Sequence, residues 1–259
     1  MASQSSQSHS HTDSPSQAIT ARHLCMAADV ESYSRRHTPS QAAVQADLVR
    51  VLEEAAAFSG LNHTAWSRQP QGDQEFAVLP VDTPEAVVLG VFVRHLSKLL
   101  GERNANRAES DRMRLRLAID FGVAPTAALG YSGPTAVAVA RYLNAAPLKR
   151  VLNAIDTTDL AVMVSDRLYQ DVVRSCGEGL DPEHYVKVHI EEKEFSGYGW
   201  VYVPEHGPEE LRPLVIDPEP EADDTAAAPP APTHHVGRID GGVVHFGTGD
   251  AATTMYKNR

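Results

Sequence analysis

Apolar residues along this chain recur at two spacings, and the alternation between them lays out a series of strands and helices. Residues 23–30 form a β-type run, apolar at most positions. A helix start follows, with Thr38 as N-cap, Pro39 at the first helical position and Gln41 completing a capping box. Val44, Leu48, Val51, Leu52, Ala55 and Phe58 then fall on one helical face, and Gly60 ends the element. Short strands at 65–68 and 75–79 flank Gln69-Pro70-Gln71-Gly72-Asp73-Gln74, a hairpin with Asp73 at its tip or first strand residue. Thr83-Pro84 opens a second amphipathic helix, carrying Val88, Val91, Phe92, Leu96 and Leu99 to about residue 103.

The second half continues in the same manner. Residues 113–123 alternate basic and apolar side chains before the turn at Gly122. Helices follow at 134–143 and around Leu148, Val151 and Leu152. Residues 160–164 are a buried strand, and Ser165 caps a helix with Leu168, Val172 and Val173 on one face. Strands at 185–190 and 199–203 end the domain at Pro204. The order β-α-β-β-α-β begins with the split βαβ, or ferredoxin-like, arrangement. The expected class is α+β, with a mixed antiparallel sheet and helices on one face.

Composition narrows the function classes. No run of about 18 apolar residues is present, so no membrane span is expected. Residues 1–20 are dominated by Ser, Gln and His and lack an apolar h-region, which predicts a disordered leader. Two cysteines, Cys25 and Cys176, with no CxxC spacing, argue against structural zinc and for a reduced, cytoplasmic setting. The net charge is −11, but residues 205–224 hold eight acidic residues against the single basic Arg212, so the remainder is only mildly acidic. No basic stripe suits a nucleic-acid groove, and the clusters at Arg35-Arg36 and Arg112 to Arg116 read as solvated faces. The Pro/Ala-rich acidic stretch to residue 233 reads as a linker. Within 234–259, Val244 and Phe246 alternate between glycine turns, which fits either a strand-forming interaction motif for a protein partner or a disordered tail.

Candidate chemistry rests on Asp29 and Asp73. An aspartate at a strand end ordinarily caps a turn, and Gly-Asp is a common hairpin tip. Two carboxylates on adjoining strands also hold Mg²⁺ ions on a nucleoside triphosphate. His63, His95, His184 and His189 show no ligand spacing and read as surface or satisfied histidines, while Trp66 and Trp200 read as core.

With that order of elements in place, residues 22–203 resemble the class III nucleotidyl cyclase (adenylate/guanylate cyclase) homology domain, in a divergent, actinobacterial-type form. Ala28-Asp29-Val30-Glu31-Ser32-Tyr33-Ser34 looks like the first metal motif of that family, and Gly72-Asp73 like the second. Arg116-Leu117-Ala118-Ile119-Asp120-Phe121-Gly122 is similar to the strand whose arginine contacts the triphosphate. Gly133 and Arg141 match the glycine and the transition-state arginine of the helix that follows. The resemblance implies two Mg²⁺ or Mn²⁺ ions bridged by Asp29 and Asp73 with the Val30 carbonyl as a further ligand. It also implies phosphate contacts from Arg116 and the backbone of Ser32, Tyr33 and Ser34, and a catalytic Arg141 supplied across a homodimer or a heterodimer with a related domain. Lys193, near a phosphate-binding lysine of the family, lies in a charge run that reads as exposed.

Three positions depart from the pattern. Gln69 and Gly130 stand at the base-selecting positions, and Val137 replaces the ribose-orienting asparagine. An amide and a glycine impose no fixed donor and acceptor pattern, so the base stays open, a pyrimidine included. Two function classes remain, a divergent cyclase and a pseudo-cyclase acting as a regulatory or scaffold subunit, with an unrelated ferredoxin-like binding module as a third.

Overall fold

The computed structural model describes residues 21–175 and 179–216. The leader at 1–20, Cys176, and the expected linker and interaction motif beyond residue 216 lie outside the described residues.

A seven-stranded sheet organises the chain. β1 (Arg22–Val30) is central and buried from Leu24 onward, flanked by β3 (Gln74–Val78) and β4 (Leu115–Val123), both antiparallel to it. β2 (Ser67–Gln71) extends the β3 edge, and a separate two-stranded hairpin is formed by β5 (Thr126–Ala127) and β6 (Gly130–Tyr131). β7 (Leu160–Ser165) runs parallel to β4, followed by β9 (Phe195–Tyr202) and the edge strand β8 (Val186–Glu192), giving the order β2-β3-β1-β4-β7-β9-β8. Pro70 on one edge and the outward Lys187 and Glu191 on the other discourage further strand addition.

The α+β class and the mixed sheet are as the periodicity predicts, but helices cover both faces. Leu24, Met26 and Ala28 of β1 pack with α1 (Thr38–Phe58) and α2 (Val93–Asn104), while Cys25 and Ala27 pack toward α3 (Pro134–Asn144) and α4 (Ala146–Ala154). Central strands that are apolar on both sides require two covering layers. The two-sided burial also pushes the Cys25 thiol up to about 12, first through desolvation and then through the charge of Asp120.

Local chemistry departs from expectation at several element ends. The N-cap of α1 is His37, whose Nδ1 accepts from the Ser40 N–H at 3.3 Å, and Thr38 is already helical. At the other end the left-handed Gly60 (φ 72°) lets Leu61 N–H close onto the Ala56 carbonyl at 2.8 Å. Phe58, in the last turn, is 63 % exposed rather than core. The second helix opens as a π-helical turn, Val87–Phe92, before α2. Ser165 caps the short α5 (Asp166–Leu168) as expected, accepting from the Leu168 N–H. His63 is buried beside Glu75, with Nε2 to Oε1 at 3.5 Å, and packs edge-on against Trp66.

The fold does not end at Pro204. α6 (Pro208–Val215) packs Leu211 and Val215 into the α3/α4 layer, and Arg150 donates to the carbonyls of Leu214 and Val215 at its C-terminus. The i, i+4 pair Leu211 and Val215 lies inside an acidic, proline-bearing stretch, and that composition masked it.

Candidate functional site

β1 delivers Asp29 to its last turn of ladder, between Gln74 on β3 and Arg116 on β4. The period-2 alternation puts Asp29 on the α3 face with Cys25 and Ala27, and Arg116 joins it there with Ala118. The residue is 8 % exposed and its carboxylate is ion-paired with the Arg116 guanidinium. Arg116 also donates from Nη1 to the Leu143 carbonyl at the end of α3, at 3.4 Å, and its buried Nε has no partner among the described residues. Desolvation raises the pKa of Asp29. Arg116 opposes that shift, and the charge of Asp73 adds to it.

Asp73 sits at the β2/β3 hairpin tip, after a left-handed Gly72 (φ 69°). Its backbone carbonyl accepts from the Val30 N–H at 3.1 Å, which clips the tip to the end of β1. The two aspartates therefore lie at one end of the sheet, on neighbouring segments, and feel each other's charge.

This donor set suits a divalent ion only in part. Oxygen donors and mutual carboxylate repulsion favour a hard cation. Among the described residues, however, no group of three or more His, Cys, Asp or Glu is placed to hold one. Asp29 and Asp73 fit an ion that arrives with oxygen ligands of its own, such as those of a triphosphate.

Ser32, Tyr33 and Ser34 follow β1 directly. Ser32 is left-handed (φ 55°), a 3-10 turn spans Tyr33–Arg35, and the Tyr33 hydroxyl accepts from Gln45 of α1 at 2.7 Å. Ser32 borders a cavity of about 460 Å³ with Glu31, Arg36, Arg112 and Arg114. These arginines are not the solvated faces expected of their clusters. Arg112 pairs with Asp159 at 2.7 Å and Arg114 with Glu31 at 3.1 Å, and Arg36 donates to the Ser110 carbonyl. They staple the loop after β1 to the segment leading into β4.

A second group adjoins the first through Gln74, the ladder partner of Asp29. Gln69, Val137 and Arg141 line one cavity of about 250 Å³, together with Gln74 and Tyr131. Gly130 touches it through Gln69. A Cβ at Gly130 (φ +117°) would stand 2.1 Å from the Gln69 Oε1, while Gln69 Nε2 donates to the Leu129 carbonyl at 3.2 Å. Gln69 and Gly130 thus form one contact unit. Val137, 50 % exposed, lies one helical turn before Arg141 on α3. Among the described residues Arg141 has a buried Nε without a partner, and its guanidinium makes a 3.7 Å approach to the largely exposed Glu194.

Asp29, Asp73, Arg116 and the 32–34 turn therefore make one cluster, and Gln69, Gly130, Val137 and Arg141 another. Sequence reasoning missed Gln74, which pairs with Asp29 in the ladder and lines the second cavity, and Lys149, whose charge reaches Asp29 from α4. Gln74 carried a signal in its position after Asp73. Lys149 carried none.

No protein-family model and no curated protein matches the chain. Among solved structures, an adenylate/guanylate cyclase/hydrolase from Silicibacter pomeroyi is 20 % identical, covers 71 % of this chain and 99 % of its own, and superposes with a TM-score of 0.50. The guanylate cyclase domain of RhGC from Catenaria anguillulae, solved in complex with GTP, is 14 % identical, covers 71 % of this chain and 96 % of its own, with a TM-score of 0.47. Among the described residues no helix is long and apolar enough to cross a membrane. The mixed seven-stranded sheet with its flanking helices is the fold of nucleotidyl cyclase catalytic domains.

Proposed function

We propose that this chain is a class III nucleotidyl cyclase-like signalling protein that binds a metal–nucleoside triphosphate between two subunits and converts it to a 3′,5′-cyclic nucleotide and pyrophosphate. The observation that carries this reading is the clipping of Asp73 to the end of β1 beside Asp29, with Arg116 directly opposite Asp29 on β4. Asp29, Asp73 and the Val30 carbonyl would hold Mg²⁺ or Mn²⁺, which would lower the pKa of the attacking hydroxyl and screen the leaving group.

The reaction forms a bond from the ribose 3′-oxygen to the α-phosphorus and breaks the bond from that phosphorus to the bridging oxygen of pyrophosphate. Arg116 is suited to turn from Asp29 to the β- and γ-phosphate oxygens, and the Ser32–Ser34 backbone to donate N–H groups to them. Arg141, on the separate cluster, would meet the α-phosphate of a nucleotide held by the other subunit and neutralise charge as the pentavalent state forms. Val137 offers no hydrogen bond to the ribose, a loss of about 10²- to 10³-fold in rate.

One observation favours a second reading. Asp29 is already neutralised by Arg116, and with Val137 that suits a pseudo-cyclase that regulates or scaffolds a partner. Incubation of the purified protein with each of the four NTPs and Mn²⁺ or Mg²⁺, with Asp29→Asn and Asp73→Asn as controls, separates the two. Cyclic product that disappears in both variants supports turnover. Nucleotide-dependent thermal stabilisation without product leaves the regulatory reading, and absence of both removes nucleotide binding altogether.

A further inference from the structure

A cavity of about 780 Å³, which shares only Val137 with the second cluster, lies where the later part of β4, the first turn of α3, the start of α5 and β9 meet. Its volume is in the range of small-molecule sites. Asp120, aligned with Cys25 in the β1–β4 ladder, lines it. The Asp120 carboxylate accepts from its neighbouring Phe121 N–H at 2.8 Å and from the Ser165 hydroxyl, and among the described residues no Lys, Arg or His nitrogen comes within 4 Å of it. Desolvation holds its pKa up, with Ser165 and the more distant charges of Arg167 and Arg22 only partly opposing. The adjacent Asp166 is different. Lys187 at 3.4 Å and Trp200 Nε1 at 2.8 Å already satisfy it.

A second acceptor faces the same space. Thr135 is 4 % exposed, lines the cavity, and its hydroxyl has no hydrogen-bond partner among the described residues. Gly122 makes room for that hydroxyl, since a Cβ there would stand 2.4 Å from Thr135 Oγ1. One wall is aromatic, with Phe195 packed edge-on to Tyr142. A half-buried carboxylate without a cation is costly unless a ligand compensates it.

We propose that this cavity binds a small organic ammonium ion, its N–H donors directed to the Asp120 carboxylate and the Thr135 and Ser165 hydroxyls and its apolar body against Phe195 and Tyr142. Three oxygen acceptors match the three donors of a primary ammonium group. The aromatic wall suits a cation with a hydrocarbon body, and Asp120 is the carboxylate free to take it, since Asp166 is paired with Lys187 and the Arg22 and Arg167 that also line the cavity stand more than 4 Å from Asp120. The inference is independent of nucleotide binding.

The test is calorimetric titration of the full chain with phenethylamine, against phenethyl alcohol and phenylacetate as neutral and anionic counterparts of the same shape. Saturable binding of the amine alone is expected, weakened at least about tenfold by Asp120→Asn and severalfold by Thr135→Val. Should Asp120→Asn fail to fold, Thr135→Val and Phe195→Leu carry the test, since both change groups facing the cavity. Equal binding of amine and alcohol, unchanged affinity in the variants, or displacement of the amine by millimolar Na⁺ or Mg²⁺ would overturn the assignment.

Discussion

Arg116 and Asp29 stand opposite one another in the β1–β4 ladder, and the guanidinium closes an ion pair on the carboxylate. Both side chains are mostly shielded, at 15 % and 11 % exposure, so removal of either partner strands a poorly solvated charge. Arg116→Met or Asp29→Asn alone is expected to lower unfolding stability by about 3 kcal/mol. The double variant is expected to lose less than the sum of the singles, because it removes both charges. Urea unfolding of the four proteins checks this. Strict additivity would show that the pair is not coupled.

Asp47 joins α1 to α2 through Arg103, with Oδ2 at 2.7 Å from Nη2 and 2.8 Å from Nε. Burial opposes ionisation of Asp47, but the hydrogen bonds and charges of Arg103 and Arg50 together outweigh it and hold its pKa low. A lowered native pKa gives stability that is present above the unfolded carboxylate value of about 3.9 and lost as pH falls through the native value. Asp47→Asn is therefore expected to cost about 2 kcal/mol at neutral pH and progressively less below pH 4. A difference from the parent protein that persists undiminished at pH 2.5 would contradict the linkage.

Gly130 and Gln69 occupy one volume between them. Gly130→Ala meets both the φ of +117° and the Gln69 amide, so a loss of about 2 kcal/mol is expected. Gln69→Ala on that background relieves the contact but not the backbone strain, and only partial recovery should appear in thermal unfolding. Full recovery would assign the whole effect to the contact.

Much of this was legible in the chain. The apolar run of β1 and the alternation of β4 gave the two strands, while the shared face of Asp29 and Arg116 follows only from their register in the ladder. Helix faces at Val44, Leu48 and Val51 were equally direct. The second covering layer was less so, since sidedness of helices depends on crossover handedness and on contacts distant in sequence. α6 was hidden because two buried residues give too short a period to outweigh a run of Glu and Pro. The Asp29–Arg116 pair and the Gln69–Gly130 contact could not be read, because both depend on side chains brought together by strand pairing and loop placement.

Arg141 offers the sharpest separation of a functional from a structural role. A guanidinium that stabilises a fold has good partners, as Arg103 does with Asp47. Arg141 has a 3.7 Å approach to a carboxylate that is 90 % exposed, and a buried Nε with no partner among the described residues. An exposed pair of that kind contributes little, so Arg141→Ala should change unfolding stability by less than about 1 kcal/mol. If Arg141 instead meets the α-phosphate, the same variant should abolish cyclic product while thermal stabilisation by Mn²⁺ and NTP, supplied mainly by the Asp29 cluster, persists in weakened form. Arg141→Lys should restore little of the rate, since a point charge does not replace a planar fork of donors. A stability loss of several kcal/mol with activity per folded molecule unchanged would reassign Arg141 to the architecture of α3.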